Sequence, residues 1–466
     1  MKNILCLTWL LMLLALGTVS AEAANHYIRA GGTASLTGTG ACTEGSGGNW
    51  QTANACDDLP ATLVRGDTYY VAGGSYASRT FDTPTSGTAR IIIKKATVAD
   101  HGGQETGWQA SYGTTQAVWN AQLTWRTSNW TFDGGYRNEN DWFNGTAYGF
   151  RVEHNSQNEM LKINSQSNPT SNIIIKYVYV NALIGGLGNT QLFCRCAINT
   201  DNGAAFINTG LVFSRMAVRG SNNVWLLRNT SGAILEYSAS ELADGNSAYH
   251  GDLINLYYSA SGAIVRFNKF RDEYTISCGG CGSTGLLPAC CGTKDIQVYG
   301  NEATNFRAGD GFVGYLDPGC TKGCVTGAVI YNNTIDNCNS ATGGNGGINL
   351  SPSGGNIIQN NIWVNCGSIS FQGGTHDYNA FPDSNNHGEA HAQTNFATSN
   401  FVNYAARDYR LASATTAGNP LPSPFNVDLL GNTRGANGGW DRGAYEFAVG
   451  GSDLIPPAAP IGISIQ

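Results

Sequence analysis

Residues 261–270, SGAIVRFNKF, and residues 326–335, TGAVIYNNTI, lie over one another without a gap. Five more segments join the alignment: SNIIIKYVYV from Ser171, TGLVFSRMAV from Thr209, SGAILEYSAS from Ser231, KDIQVYGNEA from Lys294 and GNIIQNNIW from Gly355. One column then holds asparagine four times running, at Asn268, Asn301, Asn333 and Asn361, with spacings of 33, 32 and 28 residues. Each segment is β-branched and apolar at alternating or consecutive places, as a short strand should be. A turn and usually a second strand follow, as in NVWLLRN at 223, GDLINLYY at 251 and GGINLSPS at 346.

A chain that repeats strand, turn and strand at this period predicts a coil in which every turn stacks on the last at roughly 4.8 Å. Equivalent residues then stand above one another, and a recurring inward asparagine can hydrogen-bond along the stack. A sandwich or a propeller gives no reason for one turn position to hold asparagine in four successive repeats. The unequal periods mean that loops of different length leave the coil, which is where solenoids carry function.

Composition agrees. The chain has 61 glycines, 21 tyrosines and 10 tryptophans with only 13 prolines and 4 methionines, which suits many short strands and tight turns. Charged residues make up 13% and the net charge is −7, so the basic footprint of a nucleic-acid-binding protein is missing.

Residues 1–23 read as an export leader: MKN is basic, an apolar run follows, and Ala21-Glu22-Ala23 offers a small-residue cleavage site. No later stretch is long and apolar enough to span a bilayer. The mature chain is therefore expected outside the cytoplasm, secreted or at a bacterial cell surface, and as a monomer. Twelve cysteines remain beyond Cys6, an even number that suggests disulfides in an oxidising compartment. Cys338 and Cys366 each stand five residues after a ladder asparagine, so they should meet on adjacent coils. Cys42 with Cys56 and Cys320 with Cys324 are expected local closures. CGGCGSTGLLPACC (278–291) has no clean zinc-ligand frame and reads as disulfide-forming.

With the repeat, the opening HYIRAGGTA, the segment RGDTYYVAGGSYASRTF and the closing WDRGAYEF, the sequence resembles the right-handed parallel β-helix superfamily of pectate lyases and polygalacturonases over about residues 25–447. The resemblance implies an all-β solenoid. Residues 24–130 would form an N-terminal cap and first coils, 131–447 the β-helix, and 448–466 a short Gly- and Pro-rich tail. Its members include lyases, hydrolases and non-enzymatic adhesins, so fold does not settle function. Asn199-Thr200-Asp201 resembles the first polygalacturonase motif, but the later motifs do not follow in order, and the pectate lyase arginine pattern is absent.

The coil frame points to a candidate site. Asp252 and Asp310 each open a second strand, and Asp272 and Glu273 fall between them in the intervening coil. If these lie in one column, Asp252 and Asp310 stand about 9–10 Å apart, twice the strand spacing. Stacked carboxylates repel unless compensated, and Ca²⁺ held by Asp252, Asp272, Glu273 and Asp310 would do so. Two carboxylates at this distance could also be the acid and base of an inverting glycosidase. His250 or Lys269 could serve as a base, with Arg271 or Arg307 neutralising a substrate carboxylate. Tyr249, Tyr274 and Tyr315 offer rings for stacking on sugars, as do Trp225, Tyr257 and Tyr258. The expectation is a carbohydrate-active protein on an extracellular polysaccharide, with lyase-type elimination of an acidic glycan ahead of hydrolysis. A non-catalytic glycan-binding surface protein is the rival. For every polar residue here, an ordinary turn role is the competing reading.

Overall fold

The computed structural model describes residues 23–448 except 38–41, 44–48, 103–104, 154–158, 164–168, 183–195, 202–205, 246–250, 257–259, 273, 276–285, 288, 290–291, 307–311, 315–324, 339–346 and 351–353. The predicted leader and tail lie outside the described residues, as does Cys320–Cys324.

The chain is a parallel β-helix. Among the described residues sheet I has twelve parallel strands, running from Asn25–Ile28 through Ile264–Arg266 and Val329–Tyr331 to Thr375–Asp377. Sheet II has ten, from Gly74–Tyr76 to Ile362–Val364, and sheet III six, including Asn223–Leu226 and Asp252–Asn255. Most coils pass from sheet I to sheet II and, from Arg79–Phe81 as far as Asp252–Asn255, on to sheet III. Parallel crossovers of this kind are right-handed. No helix among the described residues is long and apolar enough to cross a membrane.

The turn from sheet I to sheet II explains the asparagine column. One residue there takes positive φ in coil after coil: Tyr237 (48°), Phe267 (57°), Asn332 (55°) and Asn360 (59°), with Gly300 (64°) among them. The next residue is the ladder position. Asn268 Nδ2 donates to Asn301 Oδ1 at 3.0 Å, Asn301 to Asn333 at 2.9 Å and Asn333 to Asn361 at 2.9 Å. The ladder is longer than the four-fold repeat suggests. Asn361 donates to Asn379 at 3.0 Å, and Asn379 donates to Glu389 Oε1 at 2.6 Å, which ends the stack. All five asparagines are fully buried. Each amide must find both donors and acceptors inside the coil, and the asparagine of the next coil supplies them together with backbone groups of the neighbouring coils.

A second ladder runs four residues further on. Asp272, Asn305, Asn337 and Asn365 all take positive φ, from 47° to 56°, at the end of a sheet II strand. Asn337 Nδ2 donates to Asn305 Oδ1 at 3.0 Å, and Asn305 Nδ2 to Asp272 Oδ1 at 2.7 Å. The expected disulfides Cys338–Cys366 and Cys42–Cys56 both form.

The outer face of sheet II is not bare. Residues 137–148 and the non-repeating C-terminal stretch 396–445 pack against it and build a second hydrophobic cluster, separate from the coil core. Trp142, Tyr148, Tyr179, Ala217 and Ala239 belong to it on one side; Ile362, Tyr409, Leu429 and Tyr445 belong on the other.

Candidate functional site

The two covers meet over the strand Lys269–Arg271 and leave a cavity of about 460 Å³ between them. Strand alternation builds its floor. Phe270 points into the core and is 1% exposed, so Lys269 and Arg271 point outward together. The next coil adds Glu302 opposite Lys269 and Thr304 opposite Arg271. Trp142 and Phe143 stand on one side, Arg407, Asp408, Arg410 and Tyr445 on the other.

The charges are matched inside the site. Glu241, on the preceding coil, accepts from Arg271 Nη2 at 2.7 Å and lies 3.3 Å from Arg219 Nε. Lys269 Nζ lies 3.7 Å from Glu302 Oε2 and 5.3 Å from the Trp142 ring centre. The Arg271 guanidinium sits 3.5 Å from the Phe143 ring centre, a close cation–π contact. Tyr445 donates to Glu302 Oε2 at 2.6 Å. Burial and the Glu302 carboxylate push the Tyr445 phenol well above its ordinary value, so it stays a donor. Arg410 grips Asp408 at 2.6 Å. Burial alone would raise the Asp408 carboxyl, but its bonds to Arg410 and the charges of Arg410 and Lys269 hold it low.

Asp272 stands at the rim. Burial acts to raise its carboxyl, and the hydrogen bonds from Arg407 and Asn305 with the charges of Arg407 and Arg271 outweigh that and lower it.

No family model and no curated protein matches this sequence. Among solved structures, the chain is similar to pectate lyase Pel9A. The identity is 13% and the TM-score 0.45, over 92% of this chain and 98% of that chain. The parallel registers, not this likeness, establish the coil.

Of the residues singled out from sequence, Lys269 and Arg271 share the cavity floor and Asp272 stands beside them. Asp252 is elsewhere. It pairs in register with Asn223 in sheet III and is 1% exposed, whereas Asp272 follows a sheet II strand. The expected single column of Asp252 and Asp272 is therefore corrected: the two occupy different faces, because a turn and a loop separate the sheets within one coil. Trp225 is fully buried in the core. Tyr249, His250, Tyr257, Tyr258, Glu273, Arg307, Asp310 and Tyr315 lie outside the described residues, and Tyr274 is described only as part of a short strand.

Calcium does not fit the described part of the expected ligand set. Asp272 spends both carboxylate oxygens on Arg407 and Asn305, and its nearest charges are cationic. Among the described residues no three His, Cys, Asp or Glu side chains converge to hold a metal ion.

Sequence reasoning missed Glu302, Trp142, Phe143, Arg407, Asp408, Arg410 and Tyr445. Glu302 was within reach, since it follows ladder residue Asn301 as Lys269 follows Asn268. The others belong to non-repeating segments with no internal register to read.

Proposed function

We propose that this is a carbohydrate-active β-helix that binds an acidic glycan in the sheet II cavity and cleaves it by lyase-type elimination. The observation that carries the reading is the pairing of Lys269 and Arg271 on one strand face, beside Trp142 and Phe143, in a cavity of a size that suits a few sugar units. Trp142 and Phe143 hold the two cations in place, with Lys269 5.3 Å and Arg271 3.5 Å from their ring centres.

In this reading Lys269 is the base that removes the proton from the carbon beside the substrate carboxylate. The electron pair left behind forms a carbon–carbon double bond as the glycosidic carbon–oxygen bond breaks. The departing oxygen takes a proton from water. Arg271 faces the substrate carboxylate and stabilises the charge that builds up on it. Glu241, which grips Arg271, fixes the guanidinium in place. The leader-like residues 1–23 and the disulfides Cys42–Cys56 and Cys338–Cys366 support an extracellular setting.

Hydrolysis is the second reading, and Glu302 with Asp408 in the same cavity favours it. Incubating the protein with uronate-containing and neutral polysaccharides separates the two. New ultraviolet absorbance of an unsaturated uronate, lost in Lys269→Met, supports elimination. Reducing ends without that absorbance support hydrolysis, and binding without product makes the protein a glycan-binding module.

A further inference from the structure

The floor of the cavity belongs to two outward columns of sheet II, and exposure along the first is lopsided. One column runs Arg219, Glu241, Arg271, Thr304, Asp336 in register. The side chains of Arg219, Glu241 and Arg271 are 41%, 11% and 31% exposed, whereas Thr304 and Asp336 are each only 4% exposed. The change falls between one coil and the next. The C-terminal cover causes it: Tyr409 donates to Asp336 Oδ2 at 2.6 Å and to Thr304 Oγ1 at 2.9 Å, and Tyr404 donates to Asp336 Oδ1 at 2.9 Å.

The neighbouring column runs Tyr179, Ala217, Ala239, Lys269, Glu302, Thr334. Lys269 is 29% exposed at its side chain, while the other five residues are at most 6% exposed. Tyr445 closes the later side at Glu302, and the Ala444 amide donates to Thr334 Oγ1 at 2.9 Å. On the flank, Arg407 closes over Asp272.

A path along the sheet therefore runs over the exposed Arg219 and Arg271 side chains, which flank the largely buried Glu241, and is blind beyond Arg271 and Lys269. We infer, resting on the carbohydrate reading above, that the site is a blind-ended groove for the terminus of an acidic glycan. The terminal sugar lies at Lys269 and the rest of the chain runs back over Arg271, Glu241 and Arg219 toward earlier coils. A long chain cannot pass through, because the contacts of Tyr404, Tyr409 and Tyr445 with the later coils occupy its track.

Stoichiometry tests this without requiring turnover. The protein is titrated by calorimetry with oligogalacturonates, oligoglucuronates and oligomannuronates of increasing length. The expected result is one protein per chain at every length in at least one series, with Lys269→Met weakening binding by about tenfold or more. Several proteins on each long chain would overturn the blind end and leave the carbohydrate reading standing. So would one protein per chain with binding indifferent to Lys269→Met. Binding to none of the three series would overturn both.

Discussion

Arg407 clamps Asp272 through two hydrogen bonds, Nη1 to Oδ2 and Nη2 to Oδ1, both at 3.0 Å, across 135 residues of sequence. It ties the C-terminal cover to the top of the second ladder, since Asp272 also accepts from Asn305. Arg407→Ala should cost at most about 1 kcal/mol globally, because the arginine is 41% exposed and water screens the pair. Its local effect should be larger. Amide exchange over residues 401–411 should speed up while that of the coil core stays as it was. Because the Asp272 carboxyl is held below its ordinary 3.8, the clamp contributes fully above that value. It is lost as pH falls through the lowered one.

Asn333 is the centre of the inner ladder. Its Nδ2 donates to Asn361 Oδ1 and to the Val298 carbonyl, and its Oδ1 accepts from the Asn301 amide and side chain. Asn333→Ala removes partners from buried groups on the two neighbouring coils, so the loss should be on the order of 3 kcal/mol. Denaturant unfolding measures it, and a change within error of zero would deny the ladder its stabilising role.

The C-terminal cover should respond to pH through Glu446. Burial pushes its carboxyl up to about 7 from 4.5, with Asp441 adding and Arg434 opposing. The folded state then holds more protons than the unfolded state between those values. The contribution of Glu446 to stability is full below 4.5 and is lost as pH rises through about 7. The melting temperature should fall across that window in the natural protein, and Glu446→Gln should flatten the profile.

Lys269 and Arg271 should separate kinetically. Lys269→Met removes the proposed base and should lower kcat by about 10²–10⁴-fold with the circular dichroism spectrum unchanged. Arg271→Lys keeps the charge and loses the planar fork that Glu241 grips, so a smaller loss of roughly tenfold is expected. Equal effects of both variants on KM alone would assign them to binding.

Much of the coil followed from sequence because its information is local and repeated. The spacing of Asn268, Asn301, Asn333 and Asn361 predicts strand neighbours, and the offset of Cys338 and Cys366 predicts their bond. Asn379 escaped that reading because its coil is only 18 residues long. Register says which residues stack; it does not say which outward face a non-repeating segment covers. The placing of Tyr445 on Glu302, 143 residues away, depends on the C-terminal stretch folding back over sheet II to bury its aromatic side chains. The division of Asp252 and Asp272 between two sheets depends likewise on where the coil bends. The sequence alone therefore determined the stack. Tertiary burial decided which of its charged residues were left at a cavity, because that depends on what comes to lie against each face.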